Sequence, residues 1–234
     1  MNQSAYTSLV PSVDLSERSR IGLLVIDMQY HDAAADRGLS LAMERIVPGS
    51  MRYYVDRLND ITVPAIAELL RYFRGNAMSV FHLTLGSEHR DLRDCPRRFR
   101  DWTRAIEDRS GVRDLWWVGN PDFEIIEELK PAAGETVVRK RTNGAFNGSG
   151  LDDLLRYNGI SSLIITGVVT SACVALTALD AADRGYDCVL VSDALADHDE
   201  AMHQATLKSF AMNFGRVVQR PQEIIQAIEM RVQL

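Results

Sequence analysis

The sequence predicts one α/β domain, a doubly wound, Rossmann-like sheet of about six mainly parallel strands with helices on both faces. Short β-rich apolar runs alternate with helical patterns over most of the chain, which is how βαβ units joined by right-handed crossovers are written. Several of those runs are continuously apolar rather than alternating, as strands covered on both faces must be. No internal repeat, low-complexity tract or linker interrupts the pattern, so the 234 residues read as one domain over 21–234 behind an extension at 1–20.

The strands are expected at 21–27 (IGLLVID), 78–84 (MSVFHLT), 136–139 (TVVR), 162–167 (SLIITG), 187–192 (DCVLVS) and 216–219 (RVVQ). Helical spacing predicts helices between them. The segment 62–74 carries Ile66, Leu69, Leu70 and Phe73 on one face, with Thr62 at the cap and Pro64 in the first turn. Segments 122–129, 151–157, 171–184, 200–213 and 222–229 read the same way. Two stretches, at about 28–61 and 85–121, are too long for simple connections and are expected as enlarged loops. The second packs eight Arg against seven acids between Glu88 and Asp114. Such a segment is either a solvated, salt-bridged excursion or a pocket wall, since ligands of α/β sheets sit outside the carboxyl ends of the strands.

Composition narrows the function. At 46% hydrophobic and 25% charged the chain is an ordinary globular protein, and a net charge of −6 offers no footprint for nucleic acid. No apolar run has the ~20 residues that span a bilayer, and the first twenty residues lack the pattern of a secretory leader. Three cysteines, an odd and small number, suit a reducing compartment, so a cytoplasmic location is expected, with one thiol free for chemistry.

Three strand ends carry reactive side chains. Asp27 closes the first strand, Lys140 (one of only three lysines) follows the third, and Cys173 lies where the fourth turns into a helix. At a helix N-terminus the free N–H groups and the dipole favour a thiolate and could hold an oxyanion. Each residue also has a plainer reading: a strand-end acid that binds a cap, an exposed lysine, a buried structural cysteine. Together, however, all three fall at the carboxyl edge of one parallel sheet and face one crevice. There an acid can take a thiol proton, a lysine can keep the acid ionised, and the thiol can attack a carbonyl. Cys188 reads as core filling, and Cys95 as a loop residue.

The blocks LLVIDMQ, VVRKRTNGAFNGSGL and ITGVVTSACVALTALDAADRGYDCVLVSDALAD resemble the isochorismatase-like cysteine hydrolase superfamily, which includes nicotinamidases, N-carbamoylsarcosine amidohydrolases and ureidoacrylate hydrolases. The resemblance runs from about residue 21 to 218. It implies a triad of Asp27, Lys140 (six residues before Phe146) and Cys173. It also implies a cis peptide between Val168 and Val169, an oxyanion hole from the N–H groups of Val169 and Cys173, and a homo-oligomer, dimer or tetramer. The sequence departs from the family pattern at Gly144 and Ser149, where Ser and Thr are common, and at Tyr30-His31-Asp32, which replaces an acidic-aromatic segment. The Asp-x-His metal cluster of nicotinamidases is missing from LGSEHRD, which offers Glu88, His89 and Asp91, so no metal and no cofactor is expected.

The resulting expectation is a metal-independent amidohydrolase of a small amide, ureido or N-carbamoyl substrate, working through an acyl- or carbamoyl-enzyme. Tyr30, Trp116, Trp117, Phe146 and Asn143 are candidate pocket residues, and one loop arginine is a candidate for binding a carboxylate. The alternatives are a vinyl-ether hydrolase of the isochorismatase type, which needs the Asp but not the thiol, and a non-catalytic small-molecule binder on the same fold.

Overall fold

The structure, a computed structural model, describes residues 12–232 and Leu234. Its strands are β1 (Ile21–Ile26), β2 (Ser79–Leu85), β3 (Thr136–Lys140), β4 (Ser162–Val168), β5 (Asp187–Ala196) and β6 (Arg216–Val218). They form one sheet in the order β3-β2-β1-β4-β5-β6, with every adjacent pair parallel. The helices are α1 (Tyr30–Ala33), α2 (Gly38–Ile46), α3 (Arg52–Arg57), α4 (Val63–Gly75), α5 (Arg97–Ser110), α6 (Leu151–Tyr157), α7 (Ala175–Asp183), α8 (Glu200–Asn213) and α9 (Pro221–Met230). Among the described residues no helix is long and apolar enough to cross a membrane.

The continuously apolar strands are sandwiched, as their sequences require. Every residue of β1 and β4 is buried. Because side chains alternate across a strand, Leu23, Val25, Ile164 and Val189 face one core and Leu24, Ile26, Ile165 and Leu190 the other. The first core is closed by Ile66, Leu69 and Phe73 of α4 and by Ile224 and Ile228 of α9. The second is closed by Leu155 of α6, Ala178 of α7 and Phe210 of α8. Each such large side chain contributes roughly 1.5–3 kcal/mol by leaving water. The edge strand β3 alternates instead, with Val138 and Lys140 inward.

Several local expectations give way to tertiary structure. Thr62 does not cap α4, because the chain is already helical from Arg52 and passes through a π-helical turn at Leu58–Thr62. The Thr62 hydroxyl instead donates to the Leu195 carbonyl at 3.2 Å. The stretch 28–61 therefore holds α1 to α3, and 85–121 holds α5. The helix expected at 122–129 is two 3-10 turns, Pro121–Phe123 and Glu127–Leu129. Between them the backbone pairs with the loop after β1, Tyr30 N–H with the Glu124 carbonyl and Ile126 N–H with that of Met28, at 3.0 Å each. Those partners compete with helical bonding. The segment expected as helix at 171–184 begins as a π-helical turn, Thr170–Val174, and becomes α7. Of the N-terminal extension, residues 1–11 lie outside the described residues; Val13 and Leu15 are buried, and Val13 exchanges backbone hydrogen bonds with Leu234.

The strand order locates the site. The chain leaves β1 for β2 and β3 on one side, then crosses back to β4 on the other. The crevice of a doubly wound sheet opens where the winding reverses, here between the carboxyl ends of β1 and β4. Gly167 keeps those two strands in contact: its φ is +110°, and a Cβ there would stand 2.0 Å from the Ile26 carbonyl oxygen. Gly167→Ala should cost about 3 kcal/mol or more, read as a lowered urea midpoint at unchanged slope.

Candidate active site

Asp27 sits one residue past β1 with a left-handed φ of 53°, a conformation Asp tolerates better than most side chains. Its neighbour Gln29 locks this turn to β2. The Gln29 carboxamide accepts from Leu85 N–H at 2.7 Å and donates to the carbonyls of Leu85 and Phe123 at 3.3 and 2.8 Å. Lys140 ends β3, two strands away, and only a long cation can bridge two spacings of about 4.8 Å. Its Nζ reaches Asp27 Oδ2 at 2.7 Å and also donates to the Thr142 carbonyl at 3.2 Å. Both partners are 1% exposed. Beyond this ion pair neither Asp27 oxygen receives a well-directed hydrogen bond among the described residues.

Cys173 lies in the π-helical turn that joins β4 to α7, and its side chain meets those of Asp27 and Lys140. Its thiol also points to Asn143 Oδ1, at 3.7 Å. The turn is held from two sides. Asp197, past the end of β5, accepts from Ser171 N–H at 2.6 Å, and the Thr177 hydroxyl donates to the Cys173 carbonyl at 2.6 Å while accepting from Ala145 N–H at 3.1 Å. The Val168–Val169 peptide is cis.

Burial dominates the electrostatics. It raises the Asp27 pKa, against the pull of Lys140. It works against the Lys140 ammonium, but the Asp27 and Cys173 charges lift that pKa above its ordinary value. Lys140 keeps its charge because the buried carboxyls Asp27 and Asp32 both lie near the ammonium. Burial pushes the Cys173 thiol well up, helped by Asp27 and opposed by Lys140. Burial therefore keeps the thiol protonated, against the pull of the helix N-terminus.

Cys173 opens into a cavity of about 570 Å³. Val169, Asn143, Thr142 and Asp32 lie along it with Leu39, Leu85, Phe99, Trp102, Trp116, Arg98 and His198. Of the pocket candidates read from sequence, Asn143 and Trp116 line this space. Tyr30 does not: its ring lies under Arg37 and its hydroxyl accepts from Glu127 N–H at 3.2 Å. Trp117, next to an inward Trp116, turns outward beneath Arg90. Phe146 is buried in the core against Tyr186, with Arg184 over its ring. Glu88 pairs with Arg139, and His89 Nδ1 meets Arg93 at 2.9 Å. Among the described residues no cluster of three or more His, Cys, Asp or Glu is arranged to hold a metal. Gly144 leaves space, since a Cβ there would touch only Leu176 at ordinary distance. Cys188 and Cys95 are both buried and lie outside the cavity.

The charged segment after β2, read as an excursion or a pocket wall, does supply Arg98 and Trp102 to the cavity, but Asp32, Phe99 and His198 were not singled out. Phe99 and Trp102 stand one turn apart on α5, a spacing hidden by the charge of that segment. His198 follows β5, where the strand-end argument would have found it.

The model of the isochorismatase domain matches residues 22–222. The chain belongs to the isochorismatase family. Among curated members, maleamate amidohydrolase of Pseudomonas putida is 30% identical over 56% of this chain and 62% of its own length. The N-carbamoylsarcosine amidase of an Arthrobacter species is 26% identical over 66% of this chain and 57% of its own length. The matched segments thus span little more than half of these relatives. Among solved structures, a cysteine hydrolase from Pseudomonas syringae pv. phaseolicola superposes with a TM-score of 0.77 at 25% identity, covering 95% of this chain and 99% of that one.

His31, beside the site, gives a pH test of the packing. It is fully buried, neither ring nitrogen has a hydrogen-bond partner among the described residues, and burial holds its pKa at about 3. The unfolded chain binds this proton below an ordinary value of 6.5, whereas the native state does not. Stability is therefore complete above that pH and falls as pH drops toward 3, by about 1.4 kcal/mol per pH unit. His31→Phe should make the stability slope between pH 6 and 4 shallower by that amount, measured from urea midpoints.

Proposed function

We propose that the protein is a cysteine amidohydrolase that cleaves the C–N bond of a small amide, ureido or N-carbamoyl compound. The observation that carries this reading is the buried Asp27–Lys140 pair, 2.7 Å across, meeting a protonated Cys173 that opens into the cavity. The names of the relatives, a maleamate amidohydrolase and an N-carbamoylsarcosine amidase, favour the same bond class.

In this reading the substrate carbonyl sits over Cys173 Sγ. Asp27, made more basic by burial, takes the thiol proton as sulfur attacks. Lys140 holds the carboxylate in place and offsets the charge that develops. The N–H groups of Val169 and Cys173 receive the tetrahedral oxyanion. When the C–N bond breaks, the proton held by Asp27 goes to the departing nitrogen, so ammonia or an amine leaves neutral. Cys173 then carries a thioester or thiocarbamate. Water, deprotonated by Asp27, attacks that carbonyl, the thiol recovers the proton, and the acid or carbamate departs. The base is needed because the thiol does not ionise by itself at neutral pH.

Cys173→Ala should lower ammonia release from a panel of small amides and ureides by at least about a thousandfold. Its thermal midpoint should stay near that of the wild type. In the wild type, a rapidly quenched turnover should show the acyl or carbamoyl mass on the peptide that holds Cys173. Turnover that survives this substitution overturns the reading.

A further inference from the structure

The cavity contains a second carboxyl that the proposed chemistry does not use. Asp32, on α1, is 7% exposed and lines the same space as Cys173. Among the described residues its side chain has one hydrogen-bond partner, the Trp116 indole N–H, shared between Oδ2 at 3.1 Å and Oδ1 at 3.3 Å. Two carboxylate oxygens offer about four acceptor positions, so most of this group's hydrogen-bonding capacity is unmet. Lys140, the cation that acts on it, is already committed to Asp27 and the Thr142 carbonyl.

A buried carboxyl facing a ligand cavity with one weakly shared donor is costly unless something else completes it. The main chain around it is satisfied: the Asp32 N–H donates to the Gln29 carbonyl at 3.0 Å, and the Asp32 carbonyl accepts from the Tyr54 hydroxyl at 2.7 Å. The unmet capacity is therefore confined to the carboxyl, in a cavity whose walls include Leu39, Leu85, Phe99, Trp102 and Trp116. Besides Cys173, its other ionisable side chains are Arg98 and His198, neither of them paired with Asp32.

We infer that Asp32 is a specificity-determining residue, accepting N–H hydrogen bonds from the non-reacting end of the substrate. The chemical class selected is a small amide or ureide that carries a second amide, ureido N–H or ammonium group. Amides that direct a carboxylate at Asp32 are disfavoured, because two anions would then meet at a buried carboxyl whose one cation, Lys140, is already paired. The inference rests on the proposed function only in taking the Cys173 cavity as the substrate site.

Burial first, and then the Asp27 charge, place the Asp32 pKa at about 7, with the Trp116 hydrogen bond and Lys140 opposing. The neighbouring His31 is neutral there. At pH 8.5 the group is therefore ionised.

The test uses three probes of closely similar size that share one primary amide: malonamide, methyl malonamate and malonamate. Binding to full-length Cys173→Ala is measured calorimetrically at pH 8.5, so the result does not depend on turnover. The expected order is malonamide tightest and malonamate weakest. Adding Asp32→Asn should weaken malonamide by about tenfold to a hundredfold and strengthen malonamate, which reverses the sign of the preference. Asp32→Ser provides a second variant, and the order in the parent protein is informative with no further substitution. Equal affinity for the three probes, absence of malonamide binding, or one common shift for all three in Asp32→Asn overturns the inference; the last would mark Asp32 as a structural partner of Trp116. Failure of the proposed function shows elsewhere, as ammonia release that survives Cys173→Ala.

Discussion

The arrangement of the site depends on keeping one ion pair out of water. Asp27 and Lys140 come from strands that are not neighbours, and β2 lies between them. For the ammonium to reach the carboxylate, β3 must be parallel to β2 and in register, so that Lys140 stands opposite Leu85 at the same edge. The carboxylate must in turn be presented at that edge, which the left-handed turn at Asp27 and the Gln29 carboxamide accomplish. Removing either charge would leave the other buried without a counter-ion, a loss usually worth several kcal/mol. Sheet order, strand register and the turn after β1 are thus tied to one contact.

The same burial changes how the thiol should be understood. A cysteine at the start of a helix is expected to ionise easily, and helix-terminal N–H groups do favour a thiolate. Here the cysteine is enclosed with two carboxyls and one ammonium, and desolvation outweighs the helix. On the proposed function, the thiol stays protonated until a substrate carbonyl lies beside it and Asp27 takes the proton.

The parts of this arrangement legible in the sequence follow physical rules with long reach. Continuous apolar runs mark buried parallel strands, and strand ends at a switch point mark the crevice, so Asp27, Lys140 and Cys173 stand out together. The parts that were not legible depend on contacts made between distant segments. The stretch 122–129 has helical spacing, yet its carbonyl and N–H groups are taken by the loop after β1. Helix α5 was hidden because it buries few side chains, among them Thr103, Ile106 and Ser110, under a coat of arginines and acids. Trp116 and Trp117 look equivalent in sequence; the left-handed backbone at Trp116 (φ 54°) turns one inward and leaves the other under Arg90.

This division has a chemical counterpart. The reacting end of the cavity is built from strand ends and the turn into α7, whose positions are set by hydrogen bonds of the sheet. The other end is built from segments inserted after β1 and β2. Asp32 and Trp116 come from these two insertions and their side chains meet through one indole hydrogen bond, away from the strand pairings that fix the ion pair. On the proposed function, substrate choice falls to the segments whose structure sequence reasoning reads least well, and bond cleavage to the segments it reads best.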